Sequence, residues 1–299
     1  MRRVVQAAQA LPWLALACVM AAAPAAAYEG SLHQELTFIA AKHFNNCAGH
    51  AALPRLTPLQ VRYIAKANVR QTEANIFRRM TRWNYYDREE QRPRSMLWFI
   101  QTRMHQHFNR LVAELDAAEA LADRYSGLGR IVNYVQDMTS PAHVVPVFTA
   151  RWWRWDISDR FDRYPVDADA VSAAVGDDCT DLEANAGDWD ALLSATAERT
   201  LSAVREQIPG LPVSWQVFWR IGDPGGFGGY GGAGNNFGRP AEFDCGGRSR
   251  AERCVLLERD PLYEAFAADR HLDAVRATIT AMWMLQHGLP ELSSMGRAE

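Results

Sequence analysis

Apolar positions recur along this chain at helical spacing. Leu36, Ile39 and Ala40 lie on one face of a segment from Leu32 to Phe44, the i, i+3, i+4 pattern of an amphipathic helix. Thr57-Pro58 offers an N-cap followed by proline at the first helical position, and a helix is expected from there to about Trp83. A long helix is expected from Ser95 to Tyr125, stopped near Gly127, and another from Leu128 to Ser140, ended by Pro141. Two more are expected over Leu182 to Ile208 and Leu262 to His287, the second stopped by Gly288. No run alternates in polarity as a half-buried strand would. The pattern predicts an all-α protein with a glycine-rich segment, Gly222 to Pro240, before the last helix. That segment lacks the Lys-Ser/Thr of a P-loop and reads as a long surface loop.

The first residues change the picture. Arg2 and Arg3 precede an apolar run from Ala10 to Ala22, and Ala25-x-Ala27 fits a signal-peptidase site. Residues 1–27 are expected to be removed, leaving 28–299 as one domain, secreted or periplasmic. A lipidated Cys18 is the weaker alternative, because Ala15 stands where a lipobox has leucine. The apolar run is too short for a transmembrane segment, and no later stretch is long enough to be one. Loss of two arginines takes the net charge from −3 to −5, which gives no nucleic-acid signal. Four cysteines remain, an even number that suggests two disulfides in an exported chain. Cys245 and Cys254 close a short local loop, which leaves Cys47 with Cys179. The aromatic run Phe148 to Trp155 suits a core, a substrate cleft or contact with a membrane surface.

The segment LGRIVNYVQDMTSPAHVVPV, Leu128 to Val147, carries the candidate chemistry. Asn133 and Asp137 are four residues apart and leave one helix face; Pro141 ends the helix and His143 follows. Helical bundles present metal ligands in this way. Taken alone, the segment is better read as a polar helix face with a loop histidine beyond it.

Other segments join it. The central helix resembles that of the zinc-dependent phospholipase C and P1/S1 nuclease superfamily, which reads H-x-x-x-D followed by P-x-H, and among its branches the bacterial secreted metallophospholipases. ANVRQTEAN, Ala67 to Asn75, resembles the family's carboxylate-bearing segment, with Glu73 as the ligand. RWNYYDRE, Arg82 to Glu89, resembles its W-H-F-Y-D segment. Tyr28 and His33 match an aromatic residue at the processed N-terminus and a histidine a few residues on. The resemblance implies a multi-helix bundle of the phospholipase C/P1 nuclease type, and up to three zinc ions. Their ligands would be Tyr28, His33, Glu73, Asn84, Asn133, Asp137, His143 and one of Asp156, Asp159 and Asp162, with Asp159 preferred. Asp137 would bridge two ions and Glu73 would serve as ligand and general base. A freed α-amino group has a pKa near 8 and can bind zinc at neutral pH, so cleavage at Ala27 would itself make a ligand.

The chain departs from the family where it has Asn84 and Asn133 in place of histidines, both on one ion. No histidine lies between His143 and His271. Fewer zinc ions, a harder ion such as Ca²⁺, Mg²⁺ or Mn²⁺, or loss of catalysis would each follow. The implied activity is hydrolysis of a phospholipid or another phosphodiester. The alternatives are a nuclease and a non-catalytic periplasmic protein on the same fold.

Overall fold

A computed structural model describes residues 30–49, 53–72, 85–86, 88, 95–96, 100–101, 104–147, 159–176, 188–223, 227–246 and 252–288. The protein is mostly helical, as the periodicity predicts. Eight α-helices lie among the described residues: α1 Gly30–Ala48, α2 Pro58–Thr72, α3 Met104–Asp116, α4 Leu121–Asp137, α5 Pro141–Val144, α6 Ala168–Val175, α7 Trp189–Arg205 and α8 Pro261–His287. None is long and apolar enough to cross a membrane.

Local chemistry explains four of the eight starts. Thr57 and Gln60 form a capping box before α2: Gln60 N–H donates to Thr57 Oγ1 (3.4 Å) and Thr57 N–H donates to Gln60 Oε1 (2.7 Å). Asp167, Asp188 and Asp260 cap α6, α7 and α8. Pro261 then occupies the first turn of α8, where its missing N–H costs nothing.

The expected Ser95–Tyr125 helix is instead three pieces. Ser95–Met96 and Ile100–Gln101 (β1 and β2) pair as a hairpin, α3 follows, and the chain turns before α4 begins at Leu121. The turn carries no punctuating residue. Ala120, the N-cap of α4, makes no side-chain cap, and the guanidinium of Arg124 donates instead to Ala118 O at 3.1 Å. Gly127 does not stop the helix; α4 runs through it and through Gly129 to Asp137. The helix described near the predicted Leu182–Ile208 is Trp189–Arg205.

Helix α4 is the hub. From Ile131 to Asp137 every residue is buried, because α4 packs against α2, α3, α7 and α8. Gly129 permits the tightest approach: a Cβ there would run into the carbonyl oxygen of Ile64 and stand 2.9 Å from Ala67 Cβ. Helix α8 is likewise buried nearly all round over Ala274 to Trp283, as a core helix should be.

The glycine-rich segment is built rather than loose. Trp219–Arg220 (β3) pairs antiparallel with Gly229–Tyr230 (β4). Gly228 forms a parallel bridge with Val147 and donates its N–H to Pro146 O at 3.1 Å. A Cβ on Gly228 would collide with the Val145 side chain, so glycine lets the segment lie against the chain just beyond His143. Ala241–Asp244 (β5) pairs with Arg253–Leu256 (β6), alternating buried and exposed positions. The Cys245–Cys254 disulfide closes this hairpin. Cys47 is disulfide-bonded as well; its expected partner, Cys179, lies outside the described residues.

Candidate functional site

Four helices bring a polar cluster into the apolar core. Helix α1 supplies His33 and Thr37, α2 supplies Asn68 and Thr72, α4 supplies Asn133, Gln136 and Asp137, and α8 supplies Thr278. All are buried. Buried polar groups are costly unless bonded, and here the bonds assign one another.

The assignment starts from two hydroxyls. Thr37 Oγ1 donates its single hydrogen to His33 O (2.7 Å), and Thr278 Oγ1 donates to Ala274 O (2.7 Å). Each can then only accept. Both accept from Gln136 Nε2, at 3.3 and 3.0 Å. Gln136 therefore turns its Oε1 to His33 Nδ1, 2.6 Å away, and Nδ1 carries the hydrogen. In that tautomer Nε2 is an acceptor, and Asn133 Nδ2 stands 3.2 Å from it. Nε2 also lies 3.4 Å from Asp137 Oδ1, both side chains fully buried.

An imidazole nitrogen and a carboxylate oxygen facing each other can share a proton or a metal cation. A charge-assisted N–H···O bond would be about 2.7–2.9 Å long; 3.4 Å is longer. Zinc–nitrogen and zinc–oxygen bonds of about 2.0–2.2 Å at a tetrahedral angle put the two donors about 3.4 Å apart. The spacing of the pair is compatible with a divalent cation, and Gln136 would then supply the outer bond that fixes the imidazole tautomer.

Asn133 is oriented by the same network. Asn68 Nδ2 donates to Thr37 Oγ1 (3.0 Å) and Gln136 Oε1 (2.9 Å), so Asn68 Oδ1 accepts. Asn133 Nδ2 gives its two hydrogens to its nearest acceptors, Thr72 Oγ1 at 2.8 Å and Asn68 Oδ1 at 3.0 Å. Its Oδ1 is buried and accepts no hydrogen bond among the described residues.

A second cluster lies past the end of α4. Pro141 starts the short α5, which carries His143, and His143 O accepts from Tyr86 N–H at 2.9 Å. His143 Nε2 is 3.8 Å from Asp162 Oδ2, whose other oxygen accepts from Ser140 Oγ at 2.6 Å. The Tyr85 ring lies 5.9 Å from the His143 ring. Of the two described candidate aspartates, Asp159 and Asp162, it is Asp162 that faces His143. Asp159 is turned elsewhere: one oxygen accepts from Phe161 N–H (2.9 Å), the other from Trp219 Nε1 (3.0 Å) and Tyr230 OH (2.8 Å). Burial, and then the neighbouring charge of Asp162, push the Asp159 carboxyl up to about 6. Burial and the adjacent Asp159 raise the Tyr230 phenol, so that phenol stays a donor.

Of the predicted site residues, the structure joins His33, Asn133 and Asp137 in one cluster and places His143 in the other. Tyr28, Glu73, Asn84 and Asp156 lie outside the described residues. Among the described residues no three His, Cys, Asp or Glu side chains gather as a metal site; each cluster offers one imidazole and one facing carboxylate. Asn68, Gln136, Thr278, Trp219 and Tyr230 escaped the sequence reading. For Gln136 a signal existed, a polar residue beside Asp137 on a helix otherwise apolar at that end. Trp219 and Tyr230 gave none, since the β3–β4 pairing alone brings them to Asp159. Comparison with protein-family models, with curated proteins and with solved structures finds no match to this chain.

Proposed function

We propose that this protein is an exported, metal-dependent phosphodiester hydrolase of the phospholipase C type. One observation carries the reading: a buried imidazole nitrogen, its tautomer set by Gln136, faces a buried carboxylate at 3.4 Å. A divalent cation held there supplies Lewis-acid chemistry, polarising a phosphoryl oxygen and lowering the pKa of water. His33 and Asp137 would hold the cation, and Gln136 orients His33. His143 and Asp162 form a second locus beyond the same helix, with Ser140 fixing Asp162. Asp159 is a positioning residue that ties the Phe161 turn to the glycine-rich hairpin. Tyr28 and Glu73 join as ligands by resemblance alone.

A non-catalytic role on the same fold is the second reading. It is favoured by Asn133, whose amide nitrogen is spent on Thr72 and Asn68 where the resembled family has a metal-binding histidine. Metal analysis of protein processed at Ala27, together with phosphatidylcholine hydrolysis, separates the two. Bound divalent metal and hydrolysis abolished by a chelator are expected. Folded protein that takes up no metal, even from excess zinc, overturns the reading. Hydrolysis of single-stranded DNA but not of lipid moves the assignment to a nuclease.

A further inference from the structure

Helix α2 has two faces with different tasks. Asn68 and Thr72 turn inward to the polar cluster. On the opposite side, at about 100° per residue, Leu59, Arg62, Lys66 and Arg70 fall within an arc of about 80°. All four are exposed, Leu59 at 55%. The three cations follow one another at i, i+4 spacing, an arrangement that destabilises a helix through like-charge repulsion. No acidic residue occurs in α2 to relieve it. None of the three makes an ion pair or side-chain hydrogen bond among the described residues. Residues 51–82 carry seven Lys or Arg and one acid, a net +6 inside a chain of net −3. The charge is therefore segregated, and the rest of the chain is correspondingly acidic.

We propose that the outer face of α2 docks on an anionic phospholipid surface. The cations would meet lipid phosphates, and Leu59, in line with them, would enter the interface. Juxtamembrane and surface helices bind acidic leaflets through such cations. A nucleic acid is the less suited partner, because no aromatic side chain on this arc offers a stacking platform. The docking surface is distinct from the hydrolytic clusters and stands or falls separately from them.

The test is sedimentation of the processed protein with unilamellar vesicles, in the presence of chelator so that lipid is not consumed. Vesicles of phosphatidylcholine alone are compared with vesicles that also contain phosphatidylglycerol. Binding to the mixed vesicles only, falling as salt is raised, is expected. The triple change Arg62→Gln, Lys66→Gln, Arg70→Gln keeps good helix formers and should weaken that binding on the order of a hundredfold. Equal binding by wild type and triple variant overturns the proposal, as does binding indifferent to lipid charge or to salt. Binding to a single-stranded oligonucleotide without binding to vesicles also overturns it. Vesicle binding by a protein that hydrolyses no phosphodiester supports the surface while removing the proposed activity.

Discussion

Gly129→Ala tests the contact on which the polar cluster depends. The new Cβ would stand 2.9 Å from Ala67 Cβ and from the carbonyl carbon of Ile64, and closer still to the Ile64 oxygen. Carbon pairs rest at about 3.5–4.0 Å, so α2 and α4 must separate by roughly 0.6–1 Å. The obstacle is backbone, which cannot rotate away. One turn on from Ile64 is Asn68 and one turn on from Gly129 is Asn133, joined at 3.0 Å, with Thr72 at 2.8 Å. Separation on that scale carries both bonds past the range of a good hydrogen bond. Overpacking costs about 1–3 kcal/mol and each weakened bond about 1 kcal/mol, while alanine returns about 1 kcal/mol of helix propensity. The net expectation is a loss of about 2–4 kcal/mol in urea unfolding. Gly127→Ala is the internal control. Its Cβ is tight only against the side-chain end of Leu115, Cδ1 at 3.1 Å, with Leu115 Cα and Cβ at an ordinary 3.6 Å, so it should be neutral or stabilising by up to about 1 kcal/mol. If the two variants unfold within about half a kcal/mol of each other, the close approach at Gly129 does not govern this helix pair.

Gln136→Leu removes the acceptor that sets the His33 tautomer and should weaken zinc binding about 10–100-fold, read by calorimetric titration; unchanged affinity would show that Gln136 does not act through His33. Asn133→His puts a second imidazole beside His33 and Asp137, and if the proposed cation site exists zinc retained after dialysis should rise by about one equivalent, measured by mass spectrometry; no rise places Asn133 outside any ion's reach. His271 is buried, and burial lowers its pKa to about 3. The unfolded chain binds that proton near pH 6.5, so stability is present above about 6.5 and is lost as pH falls toward 3. His271→Phe should flatten the slope of unfolding free energy against pH in that window by up to about 1.4 kcal/mol per unit, and an unchanged slope would assign the acid sensitivity to other groups. Replacing Cys245 and Cys254 by serine should cost about 2–3 kcal/mol on the chain-entropy account, seen as a lower urea midpoint, and an unmoved midpoint would mean that the β5–β6 hairpin opens apart from the core.

Helical class was legible because it is a property of short windows. The Thr57-Pro58 start, the stop at Gly288 and the apolar spacing of α1 act within a few residues, and the structure follows them. The i, i+4 relation of Asn133 and Asp137 was equally local. The stop at Gly127 was not decided locally. A glycine in a helical pattern is ambiguous between a terminus and a close packing contact, and only the backbone of Ile64, distant in sequence, shows that this stretch is packed. The break between α3 and α4 has no punctuating residue at all. The glycine-rich segment reads as a loop until Val145 to Val147 stands beside it and Gly228 can lie against them. The same holds at the site. His33 is a histidine at a helix start until two threonine hydroxyls, from α1 and α8, commit their hydrogens to backbone carbonyls. That choice passes through Gln136 to the imidazole and decides which ring nitrogen carries the hydrogen. Sequence patterns carry the interactions of neighbours along the chain. Hydrogen-bond direction in a buried network is set by the last acceptor left over, and only tertiary structure reveals which one that is.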